Sequence, residues 1–134
     1  MKDIGVEFIV PGPPATKGST VSFVGKLGRI VTKTDCRGLK AWSESVGWAA
    51  KFTRLQLAND DTPVRITAVF QFPHPTRVAR LWPTVRPDLD KLLRALLDAL
   101  TGVAYADDAQ VVELTAQKVY GADARTTVRI SRVE

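Results

Sequence analysis

Cysteine and histidine are nearly missing from this chain: Cys36 and His74 are single occurrences. One cysteine excludes an internal disulfide framework and a cysteine-ligated zinc site, and one histidine excludes a histidine cluster within one chain. These counts suit a reducing cytoplasm, which is the expected location. Long apolar runs are absent too. No segment approaches the roughly 20 apolar residues needed to cross a bilayer, so no membrane partner is expected. The start, Met1-Lys2-Asp3 followed by an alternating segment and Pro11, does not read as a signal peptide. His74 is too isolated for histidine base chemistry and reads as a loop residue, and Cys36 reads as an incidental small side chain.

What is present is a core and an uneven charge. The chain has 134 residues, 45% of them hydrophobic, which suits one compact domain. The formal net charge is +5. Residues 1–54 hold nine Lys/Arg against four Asp/Glu, whereas residues 55–134 hold ten of each. The N-terminal part is therefore the expected electrostatic footprint for a polyanion.

Hydrophobic periodicity predicts the elements. Ile4, Val6, Phe8 and Val10 alternate as a strand, which Pro11-Gly-Pro-Pro14 ends. Residues 15–24 read as a Gly/Ser/Thr/Lys loop, and residues 26–32 as a short strand after a glycine turn. A helix is expected near 38–58, with Asp35 or Ser43 as candidates for its beginning. Asn59-Asp-Asp-Thr-Pro63 reads as a turn. Val64, Ile66, Ala68, Phe70 and Phe72 make the clearest strand. The connection 74–87 is longer than usual, which marks a functional or mobile loop. Leu89, Leu93, Leu96 and Leu100 form the stripe of a second helix that Gly102 stops. Two strands follow, 111–120 and 126–132. The expected fold class is α/β: a small single domain with a mixed β-sheet and two main helices.

The chemistry concentrates at Asp88-Leu-Asp90 and Asp107-Asp108. Carboxylates gathered in a basic chain point to a divalent-metal site facing a polyanion, and an oxygen-only donor set suits magnesium, with manganese as a substitute. A return of the chain after Leu100 could bring the second pair toward the start of the helix. The competing reading is local: Asp88 or Asp90 as an N-cap and Asp107-Asp108 as a turn. Arg94 lies four residues after Asp90 and shares its helical face; as a plain ion pair it contributes only tenths of a kcal/mol. Lys91 is placed to reach a phosphate.

Arg86-Pro-Asp-Leu-Asp-Lys-Leu-Leu-Arg-Ala-Leu-Leu-Asp-Ala-Leu100, followed by Asp107-Asp-Ala-Gln-Val-Val112, closely resembles the RusA family of Holliday junction resolvases, or crossover junction endodeoxyribonucleases. The opening strand ending in Pro11-Gly-Pro-Pro14 is similar as well, and residues 15–35 match least. The resemblance implies a magnesium-dependent RusA-like homodimer that binds four-way DNA junctions and cuts two like strands symmetrically. It implies catalytic and metal roles for Asp88, Asp90 and Asp108, with Asp107 as an additional metal candidate. The family's functional lysine falls on Arg94, which keeps the charge but not the geometry or the acidity. Candidate DNA contacts are Lys91, Arg86, Arg80 and Arg77, with Lys17, Lys26, Arg29 and Lys33 from the basic N-terminal part. Trp42, Trp48 or the 92–100 helix are candidates for a dimer face, each more simply explained as core. Other classes remain open on the sequence: a fork or flap nuclease, a non-catalytic protein that binds branched DNA, or a magnesium-binding structural domain.

Overall fold

The computed structural model describes residues 5–16, 20–24, 27–34, 38–54, 58–59 and 61–133. Strands β1 (Val6–Pro11), β2 (Thr20–Val24) and β3 (Ile30–Thr34) precede helix α1 (Leu39–Phe52). Strand β4 (Val64–Pro73), helix α2 (Leu89–Leu100), a short 3₁₀ turn (Asp108–Gln110) and strands β5 (Val111–Gly121) and β6 (Arg125–Arg132) complete the chain. The expected small α/β domain with a mixed sheet and two main helices is the architecture found.

The main sheet has the order β1-β6-β4-β5. β4 pairs in parallel with β5 and antiparallel with β6, and β6 pairs antiparallel with β1. Two neighbouring parallel strands need a long crossover, which α2 and the loops around it provide. Strict alternation makes one face of β4 fully buried: Val64, Ile66, Ala68 and Phe70. Phe8 and Val10 of β1 and Val128 and Ile130 of β6 join that face. Trp42, Val46 and Ala50 of α1 and Leu92, Leu96 and Leu100 of α2 close the core over it. Trp42 and the apolar stripe of α2 are thus core and not a dimer face. Trp48 remains on the surface at 72% exposure.

Three local expectations change. Residues 20–24, read as loop, form β2, which pairs antiparallel with β3 around Gly28 at φ 75°. Thr-Val-Ser-Phe-Val is rich in β-branched residues, and its partner strand supplies the ladder that a loop reading overlooks. Helix α1 is capped by Gly38 at φ 75°, not by Ser43, which lies within the helix. Asp35, the other candidate, lies outside the described residues, as do Ile4 and Cys36. α1 stops at Phe52, short of the expected 58, because Arg54 adopts a left-handed φ of 61°.

Candidate active site

Asp88 is the N-cap residue of α2, with extended backbone angles of −72° and 142°, but its side chain makes no capping hydrogen bond. Its carboxylate instead lies 3.8 Å from Lys91 Nζ, one turn on. Both groups are partly exposed, so this pair contributes little to stability. Asp90 sits in the first turn, where the helix dipole favours a negative charge. Its side chain is exposed, as is that of Arg94, and no ion pair within the described residues joins the two. The salt-bridge reading of Asp90 and Arg94 therefore fails, and the capping reading of Asp88 fails at the level of the carboxylate.

The second acidic pair is divided in role. Asp107 caps the 3₁₀ turn: its Oδ1 accepts from Ala109 N at 3.0 Å, and Gln110 reaches back to the Asp107 amide at 3.0 Å. Asp108 follows in the first turn, exposed. Gln110 is the anchor of this segment. Its Oε1 also accepts from Ala106 N, and its Nε2 donates to the carbonyls of Asn59 and Thr62, at 2.6 and 3.1 Å. Four bonds on one buried amide tie the Asp107-Asp108 turn to the break before β4. Gln110→Ala should lower unfolding free energy by about 2–3 kcal/mol, because the freed groups are left buried. Urea unfolding checks this, and a loss below about 0.5 kcal/mol would contradict the anchoring role.

The turn is also tied to the body of α2. Tyr105 is fully buried, and its hydroxyl donates to the Leu97 carbonyl at 2.7 Å. Leu97 lies about 10 Å along the helix axis from Asp90, at 1.5 Å per residue. Burial pushes the Tyr105 pKa up, the carboxylates of Asp108 and Asp98 push it the same way, and a bond with Thr101 opposes them. A raised folded-state pKa gives stability that is complete below the unfolded value of 10.0 and is lost as pH rises beyond it. The parent should therefore lose stability above about pH 10 more steeply than Tyr105→Phe, which at neutral pH costs about 1 kcal/mol. Urea titrations on either side of that pH test the difference.

β5 returns to the entrance of α2, and the residue it delivers there is Lys118. Lys118 Nζ donates to the carbonyls of Val85 and Pro87, at 2.7 and 2.9 Å. It therefore holds the backbone leading into Asp88. Sequence reasoning missed Lys118 and the anchoring role of Gln110. Gln110 stood inside the recognised Asp-Asp-Ala-Gln-Val motif, whereas Lys118 had no signal beyond its charge on a strand.

Arg77, Arg80 and Arg86 are exposed on the 74–87 connection, and Arg29 is exposed beside the β2–β3 turn. Lys91 is half-buried beside Asp88. Lys33 lies on β3, and Lys17 and Lys26 lie outside the described residues. His74 is a loop residue as expected. Its ring meets Tyr120 edge-on at 4.6 Å, and its Nε2 lies 2.9 Å from the Arg80 carbonyl. A depression of about 580 Å³ beside the Asp107 cap is lined by Asp61, Thr62 and Pro63, among others, but by none of Asp88, Asp90 and Asp108.

Carboxylates as the only ligating groups suit a hard divalent cation. Among the described residues, no three His, Cys, Asp or Glu side chains gather into a group that could hold an ion. The donor chemistry fits magnesium or manganese, and the acidic pair at the α2 entrance is the part of the set held on one element. No helix among the described residues is long and apolar enough to cross a membrane.

A mixed sheet backed by two helices, with an acidic pair opening the second of them, defines a small α/β domain with a carboxylate-based candidate centre. The chain belongs to the RusA endodeoxyribonuclease family, whose sequence pattern matches residues 11–131. It is 42% identical over 53 residues to "Uncharacterized protein YqaN" of Bacillus subtilis (strain 168), covering 40% of this chain and 37% of that protein. It is 43% identical over 53 residues to "Crossover junction endodeoxyribonuclease rusA" of Lactococcus phage r1t, covering 39% of this chain and 40% of that one. The chain thus spans about two fifths of the length of the curated relatives it matches.

Proposed function

We propose that this protein is a divalent-metal-dependent endodeoxyribonuclease that resolves four-way DNA junctions by paired, symmetric hydrolysis. Family membership supports the reaction class. The name of the phage relative points to the junction as substrate. The observation that carries the reading is the α2 entrance, where the Asp88 carboxylate occupies the N-cap position yet takes no capping bond. A carboxylate serving only helix stability would be expected to take that bond.

Asp88, Asp90 and Asp108 would hold a magnesium ion, or manganese in its place, with Asp107 chiefly shaping the turn that presents Asp108. When bound, such an ion lowers the pKa of water and neutralises phosphate oxygens. Arg94, one turn beyond Asp90, would offset charge developing on the scissile phosphate. Lys118 fixes the backbone before Asp88, and Lys91 lies beside the same entrance. Arg77, Arg80 and Arg86, with the basic N-terminal part, hold the DNA backbone electrostatically. Water attacks phosphorus, the P–O3′ bond breaks, and the products are a 5′-phosphate and a 3′-hydroxyl. Two symmetric cuts require two sites, which a C2 homodimer supplies. The bacterial or phage-infected cytoplasm is where such a substrate occurs.

The test is a labelled synthetic four-way junction beside a linear duplex and a fork, each with magnesium and with EDTA. Magnesium-dependent paired nicks near the junction centre, absent from duplex, are expected. Cutting mainly of forks or flaps would replace the junction as substrate. Tight junction binding without cuts in magnesium or manganese would remove the catalytic reading.

A further inference from the structure

The 74–87 connection presents an apolar tip that neither the core nor the acidic centre uses. Leu81 is 82% exposed and Trp82 is 55% exposed. Exposing two large apolar side chains side by side is costly in water, and such a patch marks an interaction surface. The segment is also clamped. Its first turn is closed by Val78 N donating to the Pro75 carbonyl at 3.3 Å. Arg80 Nε donates to Tyr120 Oη at 2.9 Å, and the Arg80 carbonyl lies 2.9 Å from His74 Nε2. Beyond the tip, Pro83 is buried, Thr84 N donates to the Trp82 carbonyl at 2.8 Å, and Lys118 holds Val85. Both flanks of the tip are thus fastened to β5, and the tip itself projects.

The charge around the tip favours a polyanion as its partner. Arg77, Arg80 and Arg86 lie on the same connection and are exposed, which is the complement of a phosphate backbone. An apolar point flanked along the chain by exposed arginines matches the layout of a nucleic acid, whose bases are flat apolar faces behind charged phosphates. Trp82 precedes Asp88 by six residues, a reach of at most about 20 Å, so the tip and the acidic entrance can act on the same few nucleotides. In linear duplex the bases are stacked and closed to such a tip, whereas a branch point exposes base faces at little cost.

We propose that Leu81 and Trp82 form a rigid wedge that packs against an exposed nucleobase at a DNA branch point and so selects branched over linear DNA. This rests on the nuclease reading above but concerns substrate choice, not the cutting chemistry. Trp82 is a specificity-determining residue here, not a catalytic one.

The experiment measures binding of the full chain, in EDTA so that nothing is cut, to a four-way junction with 2-aminopurine at its centre and to a linear duplex of equal length. Trp82→Ala should weaken junction binding about tenfold, the scale of one lost base–aromatic stack, and leave duplex binding unchanged. It should also abolish the 2-aminopurine fluorescence change seen with the parent. Trp82→Phe should retain both, and the melting temperature should stay at the parent value because the side chain is outside the core. Sedimentation of the parent and Trp82→Ala completes the set. Unchanged junction preference in Trp82→Ala overturns the wedge while leaving the nuclease reading intact. Equal losses on junction and duplex overturn it too, as does conversion of a dimer to a monomer, which would make the tip a self-association surface. A parent with no preference for the junction overturns the wedge together with the junction as substrate.

Discussion

Asp90→Asn is expected to cut a four-way junction roughly 10²–10³-fold more slowly than the parent, with junction binding in EDTA unchanged. The substitution keeps the size and the helix position of the side chain and removes its charge. Asp90 is exposed and has no ion pair with Arg94, so the fold depends on it only through the helix dipole, at about 0.3–1 kcal/mol. A large kinetic loss beside a small stability loss is the signature of a residue that acts on the reaction. Asp107→Asn is the control. Its carboxylate accepts from Ala109 N, and asparagine caps as well as aspartate, so this variant should stay within a few-fold of the parent rate. Single-turnover cleavage of the same labelled junction measures both. Asp90→Asn cutting at the parent rate would remove the assignment of the centre to the α2 entrance.

The largest stability effect should come from the core. Phe70→Ala should lower unfolding free energy by about 3–5 kcal/mol, the usual range for deleting a buried phenyl ring. Phe70 is wholly inaccessible, on the central strand β4, and pairs with Lys118 on β5 and Thr126 on β6. Its ring lies in the layer between sheet and helices, where the neighbours are fixed by two ladders and cannot collapse into the space. Because β4 and β5 together position Lys118, and Lys118 holds the approach to Asp88, the loss should reach cleavage activity as well. Thermal and urea unfolding test the first effect. A cost below about 1 kcal/mol would mean the cavity refills, contrary to the packing described.

The elements were legible where the pattern is local. The alternation in β1, β4 and β6 and the leucine stripe of α2 appear in the structure close to the expected limits, because one buried face imposes a two-residue or 3.6-residue period on the sequence. The expectation failed where a partner strand decides. β2 carries only a short alternation, Thr20-Val-Ser-Phe23, inside a Gly/Ser/Thr/Lys-rich stretch, and its ladder with β3 makes it a strand. The end of α1 was misjudged because a left-handed backbone angle at Arg54 leaves no trace in hydrophobic spacing.

The candidate centre divides in the same way. The Asp-x-Asp and Asp-Asp-Ala-Gln-Val motifs identified both the family and the acidic residues, since these are short, contiguous and chemically unusual in a basic chain. Which of those carboxylates is engaged in capping could not be read from spacing. Asp88 and Asp107 both hold N-cap positions, of α2 and of the 3₁₀ turn, yet only the Asp107 side chain takes the capping bond. The sequence by itself determined the family, the α/β class, the acidic motif and the arginine-rich connection. Tertiary structure alone decided the parallel β4–β5 pairing, the placement of Lys118 behind the α2 entrance, the Gln110 anchor and the clamped projection of Leu81 and Trp82. The physical reason is range: periodicity and caps act over a few residues, whereas Lys118 meets Val85 across 33 residues and Gln110 meets Asn59 across 51.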